Sequence, residues 1–371
     1  MADGLTDRRT FLSTVLRWGK MAAVGSMLSG SGVLPARAAS EEECGLPCQA
    51  HDYTLRELVR AKLHHGSDRF LNPFTTKKHG NMLRVLHWKL FGESNFKDLY
   101  NNEEVRPVVI DWAPIRQYRG LSITFINHSS FMIKDRDSYI LLDPVFFGLF
   151  RWIKNFSPLA FDLREMPHPD HVLVSHGHYD HLDTNSLAFL GSGTHVVTPL
   201  GYRDIFTDLG MSRRTQLDWF DTYSDGKREI TLIPCNHWTM RNPFEGPNRS
   251  LWGSFILRTA AGPTIYLAAD TAHFDRFEEI GREFSPDLAI INLGAYEPRW
   301  FMARSHMNPD ETARAFQELR AKRLIIAHWG TFRLGDEPVY YPPIDIRRAM
   351  EREGLVDHLV DLKHGETFFA A

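Results

Sequence analysis

SHGHYDHLD, residues 175–183, sits between the apolar run HVLV (171–174) and a turn, and it places three histidines and two aspartates within nine positions. A metal site, a general acid/base cluster and a polar turn without chemistry all accommodate such a stretch. The rest of the chain discriminates among them. HVLVSH delivers His176 at its C-terminal end, followed by His178, Asp180 and His181. EITLIPCNH (229–237) ends in His237, TIYLAAD (264–270) in Asp270 and RLIIAH (323–328) in His328. Four apolar, β-rich runs thus release His or Asp as they leave a sheet, where strand ends converge. An acid/base pair needs two groups rather than seven, and a polar turn leaves the repetition unexplained. Seven imidazole and carboxylate donors suit two zinc ions, each taking about four ligands. Two metals in such a site sit about 3.5–4 Å apart.

Outward from these runs the pattern is α/β. LSITFIN (121–127), SFMIKD (130–135), SYILLDP (138–144), HVVTP (195–199), SFILRT (254–259) and DLAIIN (287–292) read as further strands. Helices are expected at 54–66, 80–91, from about Thr184, and at 200–209, 273–283 and 309–321. Pro309, Asp310 and Glu311 open the last of these, where proline and acidic side chains are favoured. Strands mixed with helices predict a layered α/β fold. Residues 119–371 read as the main domain and 39–118 as a helical extension packed on it.

The composition is that of a globular protein, with 43% hydrophobic and 24% charged residues. Residues 1–38 hold five basic side chains, among them Arg8 and Arg9, and two acidic ones. Without them the balance is 38 basic against 44 acidic. That gives no electrostatic basis for holding nucleic acid. DRRTFL (7–12), a weakly apolar run and ARA (36–38) resemble a twin-arginine export signal, which implies an exported protein of the bacterial periplasm or cell envelope. Cys44 and Cys48 could pair there or stay free, and Cys235 reads as a packing residue.

The run His176-x-His178-x-Asp180-His181, with distal His237, Asp270 and His328, resembles the metallo-β-lactamase superfamily. The resemblance implies an αββα sandwich with the N-terminal helical extension beside it. It implies that His176, His178 and His237 hold one metal, that Asp180, His181 and His328 hold the other, and that Asp270 bridges. Asp143, in LLDP, matches an aspartate behind the metals that orients a ligand histidine, or is a strand-end turn residue. GAYEPRWFM (294–302), SHMNPDETA (305–313), AHWGTF (327–332) and FLNPF (70–74) narrow the resemblance to the N-acylphosphatidylethanolamine-hydrolysing phospholipase D family. That family implies two zinc ions, although iron and manganese suit the same donors. It implies hydrolysis of a phospholipid phosphodiester by a metal-bridging hydroxide. Asp180 and His306 then carry catalysis, and Tyr179 and His306 face the substrate. Structural readings stand beside these: His306 as a helix-start residue and Tyr179 as a ring packed beneath the loop. Ser305 replaces a glutamine of the animal enzymes, and NHSS (127–130) replaces their glycine-histidine-alanine while keeping a histidine, His128.

VFFGLFRWIKNFSPLAF (145–161) either contacts a membrane surface or acyl chains, or packs in the core; packing is favoured slightly. A lactone or amide hydrolase on the same dinuclear site is the alternative enzyme. A metal-binding envelope protein without turnover is the alternative outside enzymes, and a nuclease fits the charge least.

Overall fold

The computed structural model describes residues 52–75, 84, 87, 88, 92, 94–150 and 153–370. The expected export segment, Cys44 and Cys48, and most of the expected helix at 80–91 lie outside them.

Two sheets carry the fold. The first has seven strands: β1 (Leu121–Asn127), β2 (Ser130–Asp135), β3 (Ser138–Leu142), β4 (His171–Leu173), β5 (His195–Pro199), β6 (Arg214–Leu217) and β13 (Thr367–Phe369). Their order is β13-β1-β2-β3-β4-β5-β6, with β3 to β6 parallel. The second sheet holds β7 (Thr222–Ser224), β8 (Glu229–Ile233), β9 (Ser254–Arg258), β10 (Thr264–Leu267), β11 (Leu288–Asn292) and β12 (Arg323–Ala327). Its order is β12-β11-β10-β9-β8-β7, and β10, β11 and β12 run parallel.

Side-chain alternation explains the layering. Ile123, Phe125, Phe131, Ile133, Ile140, Leu142, Leu173 and Val197 join Phe255, Leu257, Ile265 and Ile290 in one core between the sheets. Their neighbours Ile126, Met132, Leu141, Val172 and Val196 point the other way. There they meet Trp112 and Ile115 of α2 (Trp112–Gln117), Leu187 and Leu190 of α3 (Thr184–Leu190), and Phe206 of α4 (Arg203–Asp208). Both faces of these strands are covered, so they read as nearly continuous apolar runs. Helices α5 (Phe277–Phe284), α7 (Pro309–Glu318) and α8 (Tyr341–Arg352) bring Phe277, Phe316 and Ile346 into the core with the second sheet. The short α6 spans Arg299–Met302. The architecture is an α/β sandwich of the αββα type.

Four helices are shorter than expected, among them α4, expected at 200–209. The helix expected at 54–66 is α1 (Leu55–Arg60), capped by Thr54 and Glu57. It stops because Lys62 turns left-handed (φ 55°) and its ammonium, with the rings of His64 and His65, is captured by Asp218 of the sandwich. Leu55, Leu58 and Val59 still insert into the inter-sheet core. The helix expected at 273–283 starts at Phe277, because Ala272 N–H donates to Asn236 O (2.9 Å) and keeps the preceding chain extended. The helix expected at 309–321 ends at Glu318.

Candidate metal centre

The carboxyl ends of the central strands meet at one edge of the sandwich. β4 leads to Ser175–His181, β8 to His237, β10 to Asp270 and β12 to His328. Asp143 follows β3, and β1 adds His128. Several of these residues turn the chain sharply: His128, Asp143 and His328 have φ of 44°, 38° and 66°, and Ala269 before Asp270 has 52°. Such conformations are uncommon outside glycine and cost energy, so the surrounding packing holds them. Gly294 shows how tight the edge is. A Cβ there would lie 1.9 Å from the carbonyl oxygen of His328, so only glycine fits.

The potential ligands fall into two main groups: His176, His178, His237 and Asp270 in one, and His128, Asp180, His181 and His328 in the other. In the first, His178 Nδ1 lies 2.9 Å from His176 Nε2 and 3.3 Å from His237 Nε2. Asp270 Oδ2 is 3.8 Å from both Nε2 atoms. In the second, Asp180 Oδ2 is 3.3 Å from His328 Nε2 and 3.6 Å from His181 Nε2. Asp270 reaches this group too, at 3.2 Å from His181 Nε2 and 3.4 Å from His328 Nε2. One carboxylate therefore lies between the two groups.

The outer nitrogens are held by hydrogen bonds. His181 Nδ1–H donates to Asp143 Oδ2 (2.8 Å). His176 Nδ1 lies 2.9 Å from the Ser175 hydroxyl, which itself donates to Asp143 Oδ2 (2.6 Å). His237 Nδ1–H donates to Ser305 O (3.2 Å). Asn292 Nδ2 donates to Asp270 Oδ1 (2.8 Å). These contacts turn the Nε2 atoms of three histidines inward. Nitrogens and carboxylates facing one another at such distances are held by a proton or by a metal cation between them. Ligands about 2.0–2.1 Å from a tetrahedral zinc lie about 3.3–3.4 Å apart, which matches the His178–His237, His328–Asp180 and His328–Asp270 pairs. The residues present fit a pair of divalent cations.

The electrostatics agree. Burial pushes His176 and His237 well below the usual histidine range and His178 down to about 4, leaving them neutral. Burial opposes ionisation of Asp180 and Asp270, yet the imidazoles around them hold both well below the carboxylate range. His181 is the exception: burial disfavours its charge, but Asp270, Asp180 and Asp143 outweigh it and raise it well above its ordinary value. A bound dication would displace that proton.

His306 stands at the rim, its ring centroid 5.6 Å from that of His237 and 5.5 Å from that of His328. Burial lowers it to about 4. The hydroxyl of Tyr179 is committed elsewhere: it donates to Arg241 O (2.9 Å), and the Arg241 guanidinium lies over its ring. His128 was not expected among the potential ligands, although it follows a strand as the others do and could have been found by that signal.

The loop at 145–161 is divided. Val145, Phe146 and Phe156 are buried, but Phe147 is 54% exposed, against the expectation of packing. Phe150 and Tyr179 are in ring contact (5.0 Å), as are Phe147 and Phe189 (6.1 Å). Phe244, two residues beyond Asn242, is 83% exposed. Exposed aromatic rings thus lie beside the loop that carries the ligands.

Known proteins resemble this chain. The family model for a beta-lactamase superfamily domain matches residues 138–329. The chain is 31% identical over 274 residues to the N-acyl-phosphatidylethanolamine-hydrolyzing phospholipase D 1 of Caenorhabditis elegans, covering 68% of this chain and 76% of that one. It is 32% identical over 241 residues to a mitochondrial protein of the same name from Saccharomyces cerevisiae, covering 62% of this chain and 51% of that one. It therefore spans about half of the yeast protein's length. Among solved structures, a metallo hydrolase of Ignicoccus hospitalis superposes with a TM-score of 0.52 at 18% identity, over 68% of this chain and 99% of that one. That likeness shows the fold.

Proposed function

We propose, since this chain belongs to the metallo-β-lactamase superfamily and within it to the N-acylphosphatidylethanolamine-hydrolysing phospholipase D-like family, that it cleaves a phospholipid phosphodiester on the phosphatidate side of the head group. It is a metal-dependent hydrolase of that fold. The observation that carries the lipid assignment is the similarity to two proteins named for that reaction. His176, His178 and His237 would hold one cation, Asp180, His181 and His328 the other, and Asp270 would bridge; two zinc ions are the proposed pair. Bound cations supply a hydroxide at neutral pH and neutralise charge on the phosphoryl oxygens.

The chain's own residues do the rest. Asp143 fixes His181 directly and His176 through Ser175. His306, neutral at the rim, donates a hydrogen bond from its ring N–H to a phosphoryl oxygen or to the leaving group. Tyr179 contributes its ring face, since its hydroxyl is engaged with Arg241. The exposed rings of Phe147, Phe150, Phe189 and Phe244 support contact with a lipid surface. Export through the twin-arginine signal is part of the proposal; Arg8→Lys with Arg9→Lys should retain the protein in the cytoplasm, and unaltered export would refute it.

The test is mass spectrometry of phospholipid vesicles containing N-acylphosphatidylethanolamine, incubated with metal-loaded protein and with a His178→Ala control. Phosphatidic acid and N-acylethanolamine should rise together, and only with the unaltered chain. Unchanged lipids would remove the phospholipid reading.

A further inference from the structure

His128 is buried within the second ligand group, 1% exposed, with its Nε2 3.1 Å from Asp180 Oδ2. It is built into place. Its backbone N–H donates to the Thr331 hydroxyl (2.8 Å), and its carbonyl accepts from the N–H of His328 (2.7 Å). This last bond joins the end of β1 in the first sheet to the end of β12 in the second. Its left-handed backbone, φ 44°, is retained under that double constraint. Its ring centroid stands 4.1 Å from that of His328.

Two roles fit an imidazole there: a ligand, or a donor that fixes a ligand. Asp180, His181 and His328 already supply three donors, and Asp270 supplies a fourth at 3.2 Å from His181 and 3.4 Å from His328. A fifth protein ligand would fill a position that a catalytic metal keeps open for water or substrate. A carboxylate beside three imidazoles can rotate toward any of them, and a hydrogen bond removes that freedom.

We propose that His128 is a positioning residue: its Nε2–H holds Asp180 in the orientation that receives the second cation. The proposal rests on the dinuclear reading above. The first group, which His128 does not join, serves as the internal reference.

The test loads the full chain with Co2+ and titrates it with a chelator, following the cobalt absorption bands and the metal-to-protein ratio. The unaltered chain should release two cations in separate steps. His128→Ala should keep the first cation at normal affinity and lose about 10- to 100-fold for the second. His128→Gln, which retains a side-chain N–H donor of similar reach, should restore the second step. Normal affinity for both cations in His128→Ala would overturn the proposal. Loss of the second cation in His128→Gln as complete as in His181→Ala would overturn it in favour of direct ligation. Loss of both cations in both His128 variants would make the residue a general structural support. An unaltered chain that binds no second cation would remove the dinuclear reading itself.

Discussion

Asp143 accepts the Nδ1–H of His181 at 2.8 Å and, through the Ser175 hydroxyl, is linked to His176 as well. One fully buried carboxylate behind the site thus orients an imidazole in each ligand group. Asp143→Ala should weaken binding of both cations, by about 10- to 100-fold, because the imidazoles lose their fixed tautomer and direction. Chelator competition measures this, and unaltered affinity would mean that strand packing alone aims the rings.

His306 and His178 separate by role. His306→Ala should lower turnover by about 100-fold, as for loss of a hydrogen-bond donor to developing charge, while metal content stays at the level of the unaltered chain. His178→Ala should lose both metal and activity. Elemental analysis beside kinetics distinguishes them; metal loss in His306→Ala would make it a ligand.

The exposed rings predict interfacial behaviour. Phe147→Ser with Phe244→Ser should reduce sedimentation with phospholipid vesicles, while hydrolysis of a soluble short-chain phosphodiester is unchanged. Equal sedimentation of variant and unaltered protein would assign these rings no part in membrane contact.

Asp135 and Arg228 form a buried ion pair between the sheets: Nε to Oδ2 is 2.6 Å, and Asp135 Oδ2 and Oδ1 also accept from the N–H groups of Ala260 and Ala261. Asp135→Ala leaves the guanidinium without this buried partner and should cost about 3–5 kcal/mol. Urea unfolding measures it, and a loss below about 1 kcal/mol, the range of exposed pairs, would mean that Asp225 and Asp137 compensate.

His364 predicts a pH dependence. It is buried between the Ser157 hydroxyl (2.6 Å) and Trp329 O (3.1 Å), and burial lowers it to about 3. The unfolded chain takes up a proton near pH 6.5 that the folded chain refuses. Its contribution is therefore complete above about pH 6.5 and is lost as pH falls toward 3. Between pH 7 and pH 5 it should amount to about 2 kcal/mol of stability. His364→Gln should remove that part of the slope in urea midpoints, and identical slopes would assign it to other histidines.

Much of the site was legible because its signals are local. Nearly continuous apolar, β-rich runs mark strands, and His or Asp at their carboxyl ends marks a convergent edge. His176, His178, Asp180, His181, His237, Asp270 and His328 were all readable this way. His128 carried the same strand-end signal, directly after LSITFIN, but was not counted with the others. Helix lengths were less legible, because Asp218 and Asn236, distant in sequence, decide where α1 stops and α5 begins.

Ten of the thirteen strands, the candidate donors and the family were read from short stretches of chain; β6, β7 and β13, which carry no extended apolar run, were not. Packing of the strands and the two sheets set the rest: it brings Asp270 within 3.2–3.8 Å of histidines in both groups, hydrogen-bonds Asp143 to Ser175 as well as His181, and places His128 against Asp180. It also decided which rings of the 145–161 segment face solvent. These relationships join residues from different strands and both sheets, and distances of 3 to 4 Å arise only when the sheets stack and their strand ends are held at one edge.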